Sequence, residues 1–251
     1  GENMFTIREY AMPETLDEAY TILKSRKGNQ ILGGCAWLRL GKKRINIAVD
    51  LTKCGLDYIR EDDEQIEIGA MTSYRSVETS DILKKYFNGV IADSVSSIIG
   101  TQFRNTVTVG GSVYGRFGFS DFLTPLLTLD TSVVLYKRGS IPLETFMTMP
   151  YEKEIIEKIV IKKDGRQSSY QMFRNSRGDF PILNLAASRT EAGQWIVTVG
   201  ARGPKAIRAE KTAAFLSDKL SQNALKSEDV EAVIQEAGEI LVSEVTFTSN
   251  M

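Results

Sequence analysis

The chain contains no histidine. That removes the Ser-His and Cys-His nucleophile pairs and the commonest metal ligand. It has two cysteines, Cys35 and Cys54, with no CxxC spacing. Two thiolates cannot hold an iron–sulfur cluster alone, and no disulfide is expected in what reads as a cytoplasmic protein. Lysine and arginine total 31 against 32 acidic residues. With no basic excess to neutralise phosphates, nucleic acid is not an expected partner. No apolar run reaches the roughly 18 residues of a membrane span, so no membrane association is expected. The opening "GENMFTIREY" lacks the apolar core of a secretory leader. Gly1–Asn3 read as an addition ahead of a natural Met4. Low-complexity segments and exact repeats are absent as well. Chemistry must then come from carboxylates, lysine, tyrosine or a bound cofactor.

What is present reads as α+β. "PETLDEAYTILKSRKGN" predicts a helix. Thr15 and Glu18 form a capping box, Leu16, Ala19, Ile22 and Leu23 share a face, and Gly28-Asn29 stop it. A short apolar strand, "QIL", runs into a glycine pair, and "INIAVDL" and "QIEIGAMT" alternate as strands. Residues 72–99 read as mostly helical, with Val90, Ile91, Val95, Ile98 and Ile99 as the core stripe. "FLTPLLTLDTSVVLYK" predicts a helix and then a strand, and "EIIEKIVIKK" another strand. "ILNLAASRT" and "QWIVTVGAR" predict a hairpin across a Glu-Ala-Gly turn. Helices are expected over about 208–219 and 227–241. Helices and strands mix without a regular βαβ rhythm. Boundaries are expected near 148–153 and near 162–168, where "KKDGRQS" reads as a solvated turn.

The pattern strand–Gly-Gly–small residue occurs twice, in "ILGGCA" and in "VTVGGSV". Glycine lets backbone approach a ligand closely, and successive N–H groups in such a turn make an anion-binding nest. Either pair alone reads equally as a tight turn or bulge, and neither is the spaced GxGxxG fingerprint. Together, with hydroxyls from Thr108 and Ser112, they point to a clamp for a diphosphate. Asp121 suits a helix N-terminus before "FLTPLLTL" and equally suits an acceptor for sugar or ribityl hydroxyls. Trp37 and Tyr114 either flank a planar ring or simply pack.

Three segments, "ILGGCAWL", "IGTQFRNTVTVGGSV…SD" and "SYQMFRNSRGDFPILNLAAS", resemble in that order the signatures of the FAD-binding medium subunit of molybdenum hydroxylases. This is the family of xanthine, carbon monoxide and nicotinate dehydrogenases. The similarity spans Phe5 to Met251. It implies FAD held between two glycine loops; with no histidine for a covalent link, the FAD is expected to be held noncovalently. Leu32, Gly33, Gly34, Cys35, Ala36 and Trp37 would form the first loop, and Thr108, Gly110, Gly111 and Ser112 the second. Asp121 would hold cofactor hydroxyls, Ile98 would pack the adenine, and Ile156 would lie against the flavin ring. The implied fold is the two-subdomain FAD-binding fold of the vanillyl-alcohol-oxidase/molybdopterin-dehydrogenase type, at residues 1–52 and 53–162. A C-terminal α+β subdomain with a small antiparallel sheet would follow at 163–251.

The chain departs from that pattern in three places. Gln171 stands where many relatives carry a lysine near the flavin, and it supplies no positive charge; Arg174 and Arg177 are the local basic residues. The cysteine-bearing insertion of relatives with an extra cluster is missing. The sequence ends at "FTSNM" where relatives continue, so a truncated or a naturally short chain is expected. The implied function is electron transfer. Partner subunits, a molybdopterin-binding large one and an iron–sulfur small one, would feed electrons to FAD, and an acceptor such as NAD⁺ would receive them. A self-contained FAD oxidoreductase and a non-catalytic nucleotide-binding module remain the alternatives.

Overall fold

A computed structural model describes residues 6–32, 44–96, 107–116, 122–174, 182–200 and 207–208. The chain divides into two compact units. One comprises Gly1–Ser80, Ile98–Gly115 and Thr131–Ile161, and the other Asp81–Ser97, Arg116–Asp130 and Lys162–Met251.

The first unit begins with strand β1 (Ile7–Ala11), helix α1 (Leu16–Ser25), β2 (Gln30–Leu32) and β3 (Ile45–Asp50). The three strands form a parallel sheet in the order β1-β3-β2. The helix starts as its sequence dictates: the Thr15 hydroxyl accepts from the Glu18 N–H at 3.1 Å. It buries Ala19 and Leu23, while Ile45, Ala48 and Val49 of β3 are fully covered. Its stop has a physical cause. The buried Asn29 amide donates to the Ile22 carbonyl at 2.7 Å, and its oxygen accepts from the Ile47 N–H at 3.1 Å. One side chain thus satisfies an orphan helix carbonyl and ties the helix end to β3.

The second sheet of this unit has five strands in the order β4-β5-β8-β6-β7. They are β4 (Ile59–Glu61), β5 (Gln65–Gly69), β6 (Thr131–Leu135), β7 (Gly139–Pro142) and β8 (Ile156–Lys162). Ile66, Ile68, Val133, Ile159 and Ile161 bury one face, the period-2 pattern of a half-covered sheet. On the solvent side Glu67 accepts from Lys158 at 2.7 Å and pairs with Arg60. The Lys158 hydrogen bond, opposed by desolvation and joined by Arg60, holds the Glu67 carboxyl below the usual glutamate range. A depressed carboxylate stabilises the fold above its unfolded value of about 4.3, and that contribution is lost as pH falls through the folded value. Glu67→Gln is therefore expected to flatten the acid limb of a stability-against-pH curve by roughly 1 kcal/mol. An unchanged acid limb in urea titrations would contradict it.

The second unit carries an antiparallel sheet, β12-β11-β10-β9. Its strands are β9 (Gln167–Arg174), β10 (Ile182–Arg189), β11 (Trp195–Gly200) and β12 (Ile207–Arg208). The hairpin of β10 and β11 closes as expected. Arg189 pairs with Trp195, and Gly193 takes φ +86° in the turn. Packed on the sheet is a short helix, Leu123–Leu126, whose following Thr128 carbonyl accepts from Arg166 Nη1 at 2.5 Å and from the Ser188 hydroxyl. Gly200 packs at the closest point: a Cβ there would lie 1.8 Å from Asn184 Oδ1 and 2.6 Å from the Thr124 hydroxyl.

The stretch from 72 to 96 is mostly helical as expected, in three short helices, Tyr74–Glu78, Asp81–Lys85 and Val90–Ser96; two other expectations need correcting. Phe87, Asn88 and Gly89 take φ of +53°, +59° and +73° in succession, which no helix can contain. Val90, Ile91 and Val95 are nonetheless the buried stripe. The turn at 162–168 is not simply solvated. The Arg166 side chain is 8% exposed and grips Asp164, and Gln167 onward is strand β9. Burial opposes ionisation of Asp164, but the Arg166 hydrogen bonds outweigh it and hold that carboxyl low. Arg166→Ala is expected to cost about 2 kcal/mol, because it strands a half-buried carboxylate and removes one of the two donors to the Thr128 carbonyl, leaving the Ser188 hydroxyl. Melting of the variant checks this. The second correction concerns the second glycine pair and is taken up with the site. The two helices expected after 208 lie outside the described residues.

Candidate functional site

The second glycine pair does not sit in a strand-to-turn nest. Among the described residues of this segment, Thr108 alone makes a strand-like contact, an isolated antiparallel bridge to Ser73. A helix, Val109–Gly115, starts at once, and Gly110 and Gly111 lie in its first turn. The N–H groups there are used inside the protein. Val109 donates to the Thr72 carbonyl at 2.9 Å and Gly110 to the Ala70 carbonyl at 2.8 Å. Gly111 donates to the Thr108 hydroxyl at 3.1 Å, and Ser112 to the Thr108 carbonyl at 3.1 Å. The strand expectation failed because Val107-Thr108-Val109 carries β-branched residues that favour strands, while the close approach of this segment to β5 decides its geometry. Gly110 is needed for that approach. A Cβ on it would stand 2.9 Å from both the Ala70 oxygen and the Ala70 Cβ.

The start of this helix forms one wall of a cleft enclosing about 640 Å³, part of it open to solvent. Thr108, Gly110, Gly111 and Tyr114 line it from the helix, and Ala70 and Met71 from the turn after β5. Leu23 of α1 and Gln30, Ile31 and Leu32 of β2 form a second wall. Lys153, Glu154, Ile155 and Ile156 form a third, on the segment that leads into β8. The structure thus brings together Leu32, Thr108, Gly110, Gly111 and Ile156 of the sequence-derived set. Ser112 is buried beside them, its hydroxyl accepting from the Tyr74 hydroxyl at 2.5 Å. Gln171 belongs to the second unit, on β9 opposite Leu185. Gly33, Gly34, Cys35, Ala36, Trp37, Ile98 and Asp121 lie outside the described residues.

Sequence reasoning missed Lys153 and Glu154, which sit in an unremarkable charged run, "YEKE". Among the described lining residues they are the only charged pair. The Lys153 ammonium donates to the Arg26 carbonyl at 2.7 Å and approaches the Leu23 carbonyl at 3.5 Å. Burial, then the neighbouring Lys24 charge, pushes Lys153 below the usual lysine value. Tyr114 was weighed as either ring-flanking or packing. It lines the cleft and also packs edge-on against Tyr151, with ring centroids 5.9 Å apart.

Aliphatic walls with a few polar groups are the ordinary lining of a cofactor site. The lining of this cleft fits FAD: Ile31, Leu32 and Ile156 offer apolar surface for a cofactor, and the bare helix start at Gly110-Gly111 admits a polar linker.

Comparison with known proteins decides the family. Residues 3–163 match the family described as the FAD binding domain in molybdopterin dehydrogenase. The chain belongs to this family. FAD is accordingly its cofactor, and it is an oxidoreductase component. It is 25% identical over 250 residues to the alpha subunit of the 6-hydroxypseudooxynicotine dehydrogenase complex of Paenarthrobacter nicotinovorans, covering 91% of this chain and 83% of that one. It is 27% identical over 134 residues to the nicotinate dehydrogenase FAD-subunit of Eubacterium barkeri, covering 51% and 45%. A solved carbon monoxide dehydrogenase from Hydrogenophaga pseudoflava shares the fold with a TM-score of 0.72 at 23% identity, over 89% of this chain and 83% of that one. The mixed helices and sheets expected of the family are those observed. Among the described residues, no helix is long and apolar enough to cross a membrane, and no cluster of metal-ligating side chains exists.

Proposed function

We propose that this chain is the electron-transfer subunit of a multi-subunit molybdenum hydroxylase. A molybdopterin-binding subunit oxidises the organic substrate, a two-cluster iron–sulfur subunit relays the electrons, and this chain passes them to an acceptor such as NAD⁺. The observation that carries the reading is the convergence of Leu32, Thr108, Gly110, Gly111 and Ile156 on one cleft. These residues come from three separated stretches of sequence. Family membership and the FAD-subunit and complex-subunit names of its relatives support it.

In this reading the bound FAD supplies the two-electron to one-electron conversion. The chain's own residues bind and orient. Ile156, 6% exposed, would lie against the ring and exclude water, and Leu32 would belong to the first loop around the diphosphate. Thr108 and the Gly110-Gly111 backbone bound the linker region. Gly33–Trp37, Ile98, Ser112, Asp121 and Gln171 are proposed as the further cofactor-binding residues. The three-part division at 1–52, 53–162 and 163–251 is proposed with it; the parallel sheet, the five-stranded sheet and the antiparallel sheet fall one to each part. The flavin is held noncovalently. Cys54, the described thiol, donates to the Pro13 carbonyl at 3.3 Å, and burial, Glu18 and Asp50 raise it, so it stays a protonated thiol.

Turnover separates this reading from a self-contained flavoenzyme. The purified FAD-loaded chain, given a purine, an aldehyde or an N-heterocycle with NAD⁺, is expected to show no hydroxylation. Addition of the two partner subunits is expected to restore it. Robust hydroxylation by the single chain would overturn the subunit reading.

A further inference from the structure

The segment from Tyr151 to Ile155 crosses from the helix Leu143–Thr148, the last before β8, into the cleft wall. It is fastened at three points, each a side chain reaching a distant backbone carbonyl. The Tyr114 hydroxyl donates to the Glu152 carbonyl at 3.2 Å. The Tyr151 hydroxyl donates to the Gly115 carbonyl at 2.9 Å. The Lys153 ammonium donates to the Arg26 carbonyl at 2.7 Å. The first two tie the segment to the helix carrying Gly110 and Gly111. The third ties it to Arg26, the C-cap of α1, whose carbonyl also accepts from the Asn29 N–H at 3.2 Å; Leu23 of that helix lines the opposite wall, and the chain continues into β2.

From this geometry we propose that Tyr151–Ile155 is a strap across the cofactor cleft and that Lys153 is its clasp, a positioning residue that sets how long FAD stays bound. This rests on the FAD reading of the cleft. Backbone carbonyls at a helix C-terminus lack intrahelical partners and attract a cation. A charge-assisted bond formed there, out of water, is stronger than a neutral one. The clasp joins residues 127 apart in sequence, so breaking it frees the β8 wall from the α1–β2 wall without unravelling either element. Tyr151 is 48% exposed, so the strap has solvent on its outer side and room to lift. Glu154 supports the inner end: its carboxylate accepts from the Ile155 N–H at 2.9 Å and orients the chain entering β8.

The test compares Lys153→Met, which keeps the aliphatic stem and removes the donor, with Lys153→Arg, which keeps a cation. Each full-length protein is loaded with FAD and diluted, and FAD release is followed by recovery of flavin fluorescence. Melting of the flavin-free proteins is measured alongside. The Met variant is expected to release FAD about tenfold faster or more, the cost of one charge-assisted bond. The Arg variant is expected to stay within about threefold of the parent, and the flavin-free melting points to coincide. Tyr151→Phe, which loses a different fastening, is expected to release FAD faster too. If Lys153→Met binds FAD and releases it at the parental rate, the clasp is wrong and the FAD reading stands. If release quickens only in proportion to a lower flavin-free melting point, Lys153 is a fold residue and the clasp is wrong. If the parent itself binds no FAD, the reading of the cleft fails and the strap with it.

Discussion

Gly110→Val is expected to destabilise the fold by about 3 kcal/mol or more, at the upper end of overpacking costs. Even a single Cβ would be 2.9 Å from the Ala70 oxygen and 2.9 Å from its Cβ. Those atoms belong to the turn after β5 and cannot swing aside as the tip of a long side chain can. The same approach carries a hydrogen bond, Gly110 N–H to the Ala70 carbonyl at 2.8 Å. The valine therefore has to push the helix Val109–Gly115 off the sheet edge and lose that bond with it. For a chain of this size the melting point should fall by roughly 6–12 °C. FAD binding should fall as a consequence, because the helix start is one wall of the cleft. A variant that melts with the parent would show that this contact does not hold the helix in place.

Gly111→Val addresses the cofactor more directly. Gly111 is the neighbouring cleft-lining residue, its N–H held by the Thr108 hydroxyl. A branched side chain there takes space from the ligand and stiffens the first turn. FAD affinity is expected to drop roughly 10- to 100-fold, the equivalent of about 1–3 kcal/mol of crowding. The two substitutions should separate: Gly110→Val lowers melting most, and Gly111→Val lowers affinity most relative to its effect on melting. Equilibrium titration with FAD and thermal melting of both proteins check the pattern. Full flavin affinity in a folded Gly111→Val protein would remove the helix start from the cofactor site.

Much of this architecture is legible where a pattern is long and one-sided. Helix α1 announces itself by Thr15, Glu18 and a buried stripe, and β3, β5, β6, β8 and the β10–β11 hairpin follow from alternation. The short edge strands do not. β1 places Tyr10 at 65% exposure, so its sequence has no apolar alternation to read. β4 and β7 are too short to show a period. The Gly-Gly pair misled in structure. Its residues do line the cleft, but their bareness serves, at Gly110, the packing of a helix on Ala70. Lys153 was illegible for another reason. Its partners are backbone carbonyls of Arg26 and Leu23, far back in the chain, and a carbonyl leaves no mark in the sequence.

The central claim is that the cleft formed by β2, the helix start at Thr108–Gly111 and the entry to β8 holds FAD without a covalent bond. Saturating the purified chain with FAD, removing the excess, and precipitating the protein with acid tests it directly. The account predicts one FAD for each chain, all of it released into the supernatant. A chain that retains no flavin before precipitation, or yellow colour that stays with the pellet, would contradict it.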